Sequence, residues 1–115
     1  DGPVESEKPS AYIILLTYSK GTYILADVGI AAQSILLGAV EKGFGGCMFG
    51  SVKRDKLREL FHIPQEYDIP LIIALGKPRE KVVIEDVKTD IKYWRDKDGV
   101  HHVPKRKLED LIIKF

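Results

Sequence analysis

The chain has 115 residues, with 18 basic and 17 acidic side chains and a formal net charge of +1. That is the size and balance of one soluble globular domain, without the basic excess of a nucleic-acid binder. A single cysteine excludes an internal disulfide framework and any multi-cysteine metal site.

The chain opens on Asp1 rather than methionine, so either a leader or tag has been removed or the sequence is a piece of a longer protein. No basic-then-apolar leader precedes the first apolar run. The expected compartment is therefore the cytoplasm. Residues 1–10 are polar and read as a tail or linker, and residues 11–115 read as the folded domain. Ala11–Tyr18 (AYIILLTY) is a short run rich in isoleucine and aromatics, and its length and boundaries predict a buried strand.

From Tyr23 to Lys42, two overlapping apolar stripes of period 3.6 predict a long helix apolar on most sides, hence central and buried. Thr22 is its expected N-cap, and Gly43 is placed for a left-handed C-terminal cap. Gly29 and Gly38 each cost about 1 kcal/mol of helix propensity relative to alanine, which close packing would offset. Asp27, Gln33 and Ser34 interrupt this longest apolar stretch, which argues against a membrane span and leaves no membrane partner.

Gly43–Ser51 (GFGGCMFGS) places four glycines in nine residues, and reads as a cap followed by an apolar turn able to bring main-chain amides close to a ligand. No Gly-Lys-Ser/Thr closes it and no strand precedes it, so it is neither a P-loop nor a dinucleotide fingerprint. Lys53–Phe61 predicts a short amphipathic helix with Leu57, Leu60 and Phe61 on its apolar face. Pro64–Asp68 predicts a turn and Tyr67–Leu75 a second apolar strand. Val82–Val87 has no assignment. Ile91–Val103 predicts a hairpin about Asp98-Gly99, and Leu108–Phe115 a terminal helical turn or strand.

Candidate chemistry is sparse. Cys47 reads as a buried structural thiol, since the sequence offers no partner histidine to activate it. His101 and His102, adjacent on a strand, point to opposite faces and so do not share a metal; the expected metal site is none. Lys105-Arg106-Lys107 is either a solvated exit from the hairpin or a clamp for one phosphate.

In order, DVGIAAQSILLGAVEKGFGGCMFGS, KLRELFHIPQEYDIPLIIALGKP and KYWRDKDGVHHVPKR resemble the C-terminal half of the nitroreductase family, over about Ala11 to Leu111. The resemblance implies an α+β fold: a mixed, mainly antiparallel sheet with Ala11–Tyr18 and Tyr67–Leu75 central, flanked by the long helix. It implies a flavin mononucleotide (FMN)-dependent oxidoreductase that takes electrons from NAD(P)H and passes them to a small-molecule acceptor of nitroaromatic or quinone type. Met48, Phe49, Gly50 and Ser51 match the segment along the flavin ring, with amides near Gly50 and Ser51 facing it. Lys105 and Arg106 match the phosphate contacts, with Lys107 a substitute for one of them. The family interlocks two subunits, so a homodimer is implied. No side-chain acid or base is required, and no catalytic residue is assigned. Met48 stands where many members carry tryptophan or proline, and Ser51 where glycine is common. The family's arginine-rich N-terminal half has no counterpart here, where the first arginine is Arg54. The alternative is therefore a truncated, non-enzymatic dimerisation or binding module of the same fold.

Overall fold

The structure is a computed structural model that describes residues 8–18 and 20–115. The first seven residues of the expected tail, and Ser19, lie outside the described residues. The chain is α+β, and divides into two compact units, Asp1–Lys77 and Pro78–Phe115.

In the first unit, β1 (Ala11–Thr17), α1 (Ile24–Glu41), β2 (Gly45–Phe49), α2 (Arg54–Phe61) and β3 (Asp68–Gly76) follow in chain order. The sheet is antiparallel in the order β1-β3-β2. Only β3 is central; β1, expected beside it as a second central strand, is an edge. Both strands carry continuous apolar runs, but β3 pairs with β1 on one side and β2 on the other, and it alone of the two holds fully buried residues. Ile69, Ile72, Ile73 and Ala74 of this strand are buried and, with Ala32 of α1, make up the core.

The long helix forms as its periodicity predicts, but Tyr23 rather than Thr22 is its N-cap, and no side chain caps it. Its C-terminus is a Schellman motif: the Gly43 amide donates to Val40 O (3.0 Å) and the Phe44 amide to Ala39 O (2.9 Å). Gly43 takes φ +79°, which glycine adopts without steric cost. Of its side chains only Ala32 is buried, and Leu25, Ile30, Leu37 and Val40 are exposed. The expectation of a buried helix fails for this chain, because one three-stranded sheet covers only one side of it. A Cβ at Gly29 or Gly38 would meet nothing within 4 Å. The close packing expected at these two glycines is thus absent among the described residues. With 18 residues and a mean hydropathy of 1.6, α1 is long and apolar enough to cross a membrane by length and composition alone, despite Asp27, Gln33 and Ser34.

One glycine does face close packing. A Cβ at Gly46 would lie 2.5 Å from Ala74 O, 2.7 Å from Leu36 Cδ2 and 2.8 Å from Leu75 Cδ2. The bare backbone of β2 is what lets α1 lie this close to the sheet.

In the second unit, β4 (Val82–Asp86), β5 (Trp94–Arg95), β6 (His101–Lys105) and α3 (Leu108–Leu111) form around a sheet of order β4-β6-β5. β4 pairs with β6 in parallel and β5 with β6 antiparallel. The β5–β6 hairpin turns where Asp98-Gly99 predicts, with Gly99 at φ +77°. The unassigned Val82–Val87 segment contains β4, a short strand whose two charged residues follow its three apolar ones.

Candidate functional site

The glycine-rich segment is not the turn its composition suggests. Gly45–Phe49 is strand β2, so Met48 and Phe49 lie in a strand, and only Gly50 and Ser51 belong to the loop that follows. Side chains alternate along it. Phe49 pairs with Ile72 and lines the α2 side of the sheet, and Met48 pairs with Ile73 on the face that α1 covers. The two side chains therefore lie on opposite faces of the sheet.

The backbone of β2 offers more. The Leu75 carbonyl accepts from the Ser10 amide and so points toward the β1 side. By the alternation of an antiparallel ladder, Ala74 and Ile72 then bond toward β2, where their partners are Cys47 and Phe49. Gly46 and Met48 consequently turn their N–H and C=O groups to the outer edge, which pairs with no strand among the described residues. Cys47 is free and exposed on this edge strand, against the expectation of a buried thiol. Cys47 alternates with Gly46 and Met48 and so faces away from α1, on a strand with one neighbour in the sheet.

The loop after β2 is fastened by an arginine. Arg54, first residue of α2, donates from Nε to Ile69 O (2.9 Å) and from Nη2 to Gly50 O (3.0 Å). The Val52 amide also donates to Gly50 O (3.0 Å). Two donors fix the Gly50 carbonyl, and with it the plane of the Gly50–Ser51 peptide. A Cβ at Gly50 would meet only Pro70 O at 3.7 Å, an ordinary contact, so packing within the chain does not demand glycine there. Arg58 ties the other end of α2, donating to Pro64 O (3.0 Å) and Tyr67 O (2.6 Å). The sequence assigns neither arginine a role of its own. The signal was their i, i+4 placement on one helix face.

Beside this loop lies an apolar groove of about 430 Å³, floored by Tyr12, Ile14, Phe49 and Ile72 and walled by Leu57 and Phe61. Tyr12 and Phe49 meet edge to face across it, with ring centroids 6.3 Å apart.

In the second unit, the two histidines do point to opposite faces. His101 Nδ1 lies 3.0 Å from Glu80 Oε1, and Arg95 donates to Glu80 Oε2 from Nε (3.1 Å) and Nη2 (2.9 Å). His101 and then Arg95 hold the Glu80 carboxyl below the usual glutamate range. On the other face His102 bridges Glu85 (2.7 Å) and Asp96 (3.0 Å), with Trp94 stacked at 4.9 Å and 4°. The hydrogen bond from His102 lowers Asp96, and the same bond, helped by Glu85, raises His102. Among the described residues, no group of three or more His, Cys, Asp or Glu is arranged to hold a metal.

Lys105 ends β6 and Arg106 follows it; both are exposed, and neither has an ion-pair partner among the described residues. Lys107 instead lies 3.7 Å from Asp86. Lys105 and Arg106 belong to the second unit, and Met48, Phe49, Gly50 and Ser51 to the first.

The profile of the Nitroreductase family matches residues 8–77. The chain belongs to the nitroreductase family. The matched segment spans β1 to β3 and so contains the whole first unit's sheet, α1 and the Met48–Ser51 segment; Lys105 and Arg106 lie beyond it. Nitroreductase-family membership assigns oxidoreductase chemistry in general and a flavin as the family's usual cofactor. The α+β architecture fits that family.

Proposed function

We propose that this nitroreductase-family chain forms part of an FMN-dependent oxidoreductase, which takes electrons from NAD(P)H and delivers them to nitroaromatic or quinone-like acceptors. One observation carries the reading: the Gly50–Ser51 peptide follows an unpaired strand edge, has no side chain at Gly50, and is held in orientation by Arg54. When bound, the flavin supplies the hydride-accepting ring. The main-chain donors of Met48, Gly50 and Ser51 suit a ring that gains negative charge on reduction, because fixed amides stabilise that charge without reorganising. Arg54 serves there as a positioning residue, engaged with backbone carbonyls rather than with ligand. Lys105 and Arg106, exposed and unpaired among the described residues, are the cations for a dianionic phosphate. The edge-strand geometry modifies the first assignment: the backbone, and not the Met48 or Phe49 side chain, would meet the ring.

The exposed apolar face of α1 supports a homodimer built on that helix. We read α1 as an association surface and not a membrane span, since Ala32 and Leu36 already pack on the sheet and Asp27 sits in its first turn. A cytoplasmic enzyme without nucleic-acid partners completes the reading.

Oxidation of NADH and NADPH with a quinone acceptor, assayed in the intact polypeptide with FMN, tests the function. Flavin-dependent turnover supports it. Titration of the present chain with FMN, followed by flavin fluorescence, is expected to show weak binding, because no arginine-rich segment precedes Arg54. Gly50→Ala is expected to weaken FMN binding in the intact protein while leaving its unfolding midpoint unchanged. Equal FMN affinity in that variant removes the backbone-donor assignment.

A further inference from the structure

The His102 cluster is unused by the proposed chemistry, yet its geometry is demanding. The imidazole presents Nδ1 to Glu85 Oε1 at 2.7 Å and Nε2 to Asp96 Oδ2 at 3.0 Å, and only a doubly protonated ring can donate to both carboxylates. Trp94 lies parallel to the ring, on whose face a cation is attracted by the indole quadrupole. The groups facing His102 are thus Glu85 from β4, Asp96 from the hairpin turn and the uncharged Trp94 from β5. We propose that His102 is a proton-dependent tie between β4 and β6, which releases β4 when the imidazolium loses a proton and leaves the hairpin intact.

The asymmetry follows from how each carboxylate is held. Asp96 Oδ1 accepts from the amides of Asp98 and Val100, both at 2.9 Å, so Asp96 is fixed within the turn whatever His102 does. Among the described residues Glu85 makes no second hydrogen bond, and its side chain has one more rotatable bond. A neutral imidazole would turn a lone pair toward one of the two carboxylates at hydrogen-bonding distance. Glu85 is the side chain free to leave. It sits on β4, an edge strand whose ladder with β6 is bracketed by the His101 amide to Lys81 O (2.8 Å) and the Val87 amide to Lys105 O (3.0 Å). The second of these bonds orders the carbonyl of Lys105. On the FMN reading, loosening it would also loosen a phosphate contact, but the tie itself does not depend on that reading.

The direction in pH is set by His102, which Asp96 and then Glu85 raise above the ordinary histidine value. A raised histidine contributes stability that is complete below the unfolded value and is lost as pH rises through the folded one. Hydrogen exchange on the whole chain, normalised for intrinsic base catalysis, tests this alongside the His102 NMR titration. Protection of the Val87 and His101 amides is expected to fall on the order of threefold to tenfold as His102 deprotonates. Protection of the Asp98 and Val100 amides is expected to stay constant. Glu85→Gln offers an amide that can donate to a neutral ring, so this variant should keep β4 protected at high pH and shift the His102 titration downward. Constant Val87 and His101 protection through the His102 titration, or an equal loss in Glu85→Gln, overturns the proposal. So does simultaneous loss at Asp98 and Val100, which would mean that the unit opens as a whole. FMN affinity, measured separately, bears only on the phosphate reading.

Discussion

Arg54 Nη2 holds the carbonyl of Gly50 at 3.0 Å while its Nε holds the carbonyl of Ile69, joining the loop after β2 to the start of β3 through one guanidinium. Arg54→Ala should therefore destabilise the first unit by about 1 kcal/mol, measured by urea unfolding, since two charge-assisted bonds are lost at a largely solvated site. Arg54→Lys cannot span both carbonyls with a fixed fork and should behave closer to alanine than to arginine. In the intact protein with FMN, both variants should weaken flavin affinity. Unchanged stability in Arg54→Ala would mean that Val52 alone suffices to hold the Gly50 carbonyl.

Gly46 and Gly50, four residues apart, should respond unequally to the same methyl group. At Gly46 the new Cβ would sit 2.5 Å from a backbone oxygen that β3 cannot move, with Leu36 of α1 behind it. Gly46→Ala should cost about 1–3 kcal/mol through forced displacement of α1. At Gly50 the nearest atom is 3.7 Å away, so Gly50→Ala should change stability by less than about 0.5 kcal/mol. Thermal unfolding of the two variants side by side checks this. A tolerated Gly46→Ala would show that helix and sheet are less tightly apposed than these distances state.

Local pattern reveals much of this architecture. The apolar run of β3, the two stripes of α1, the Gly43 cap and the Asp98-Gly99 turn all sit where their residues predict, because each is fixed by neighbours within a few positions. What escaped was decided by distant partners. GFGGC looks like a loop because glycine disfavours strands, yet Gly45–Phe49 is drawn into the sheet by pairing with Gly76–Ile72, and Gly46 is tolerated there because α1 needs the space. The exposure of Cys47 and of α1 depends on what covers them, which no window of sequence encodes. The candidate site was legible only as a glycine-rich stretch and a basic exit. Arg54 bonds main-chain carbonyls 4 and 15 positions away, and His102 reaches Asp96 and Glu85 across 6 and 17 positions, so neither leaves a local pattern.

Acid should weaken the second unit through Asp96. Its carboxyl is lowered first by the hydrogen bond from His102 and then by the amide of Val100. A depressed carboxylate contributes stability that is present above the unfolded value of 3.8 and is lost as pH falls through the folded one. Glu80 acts in the same direction through His101 and Arg95. Near-ultraviolet circular dichroism of Trp94, the sole tryptophan, should therefore lose its stacked signal only below about pH 4. Asp96→Asn should remove most of this acid dependence and lower the protonation pH of His102. A Trp94 signal that disappears well above pH 4 would contradict the assignment.

Self-association through α1 can be separated from its intrinsic stability with two glycines. Gly29 and Gly38 occupy ordinary helical positions with nothing within 4 Å of a new Cβ. In the lone chain, each alanine should stabilise the helix by about 1 kcal/mol. Leu25, Ile30, Leu37 and Val40 expose apolar surface on the same helix, an arrangement that water disfavours and a second copy would cover. If two α1 helices approach through the bare glycine positions, an added methyl should hold them apart. Gly38→Ala should then raise the unfolding midpoint at low protein concentration while weakening the dimer in sedimentation equilibrium. Leu37→Glu should abolish the dimer without the gain in stability. A rise in both stability and association for Gly38→Ala would place the contact elsewhere on the helix, and a wild-type chain that stays monomeric at high concentration would remove the dimer.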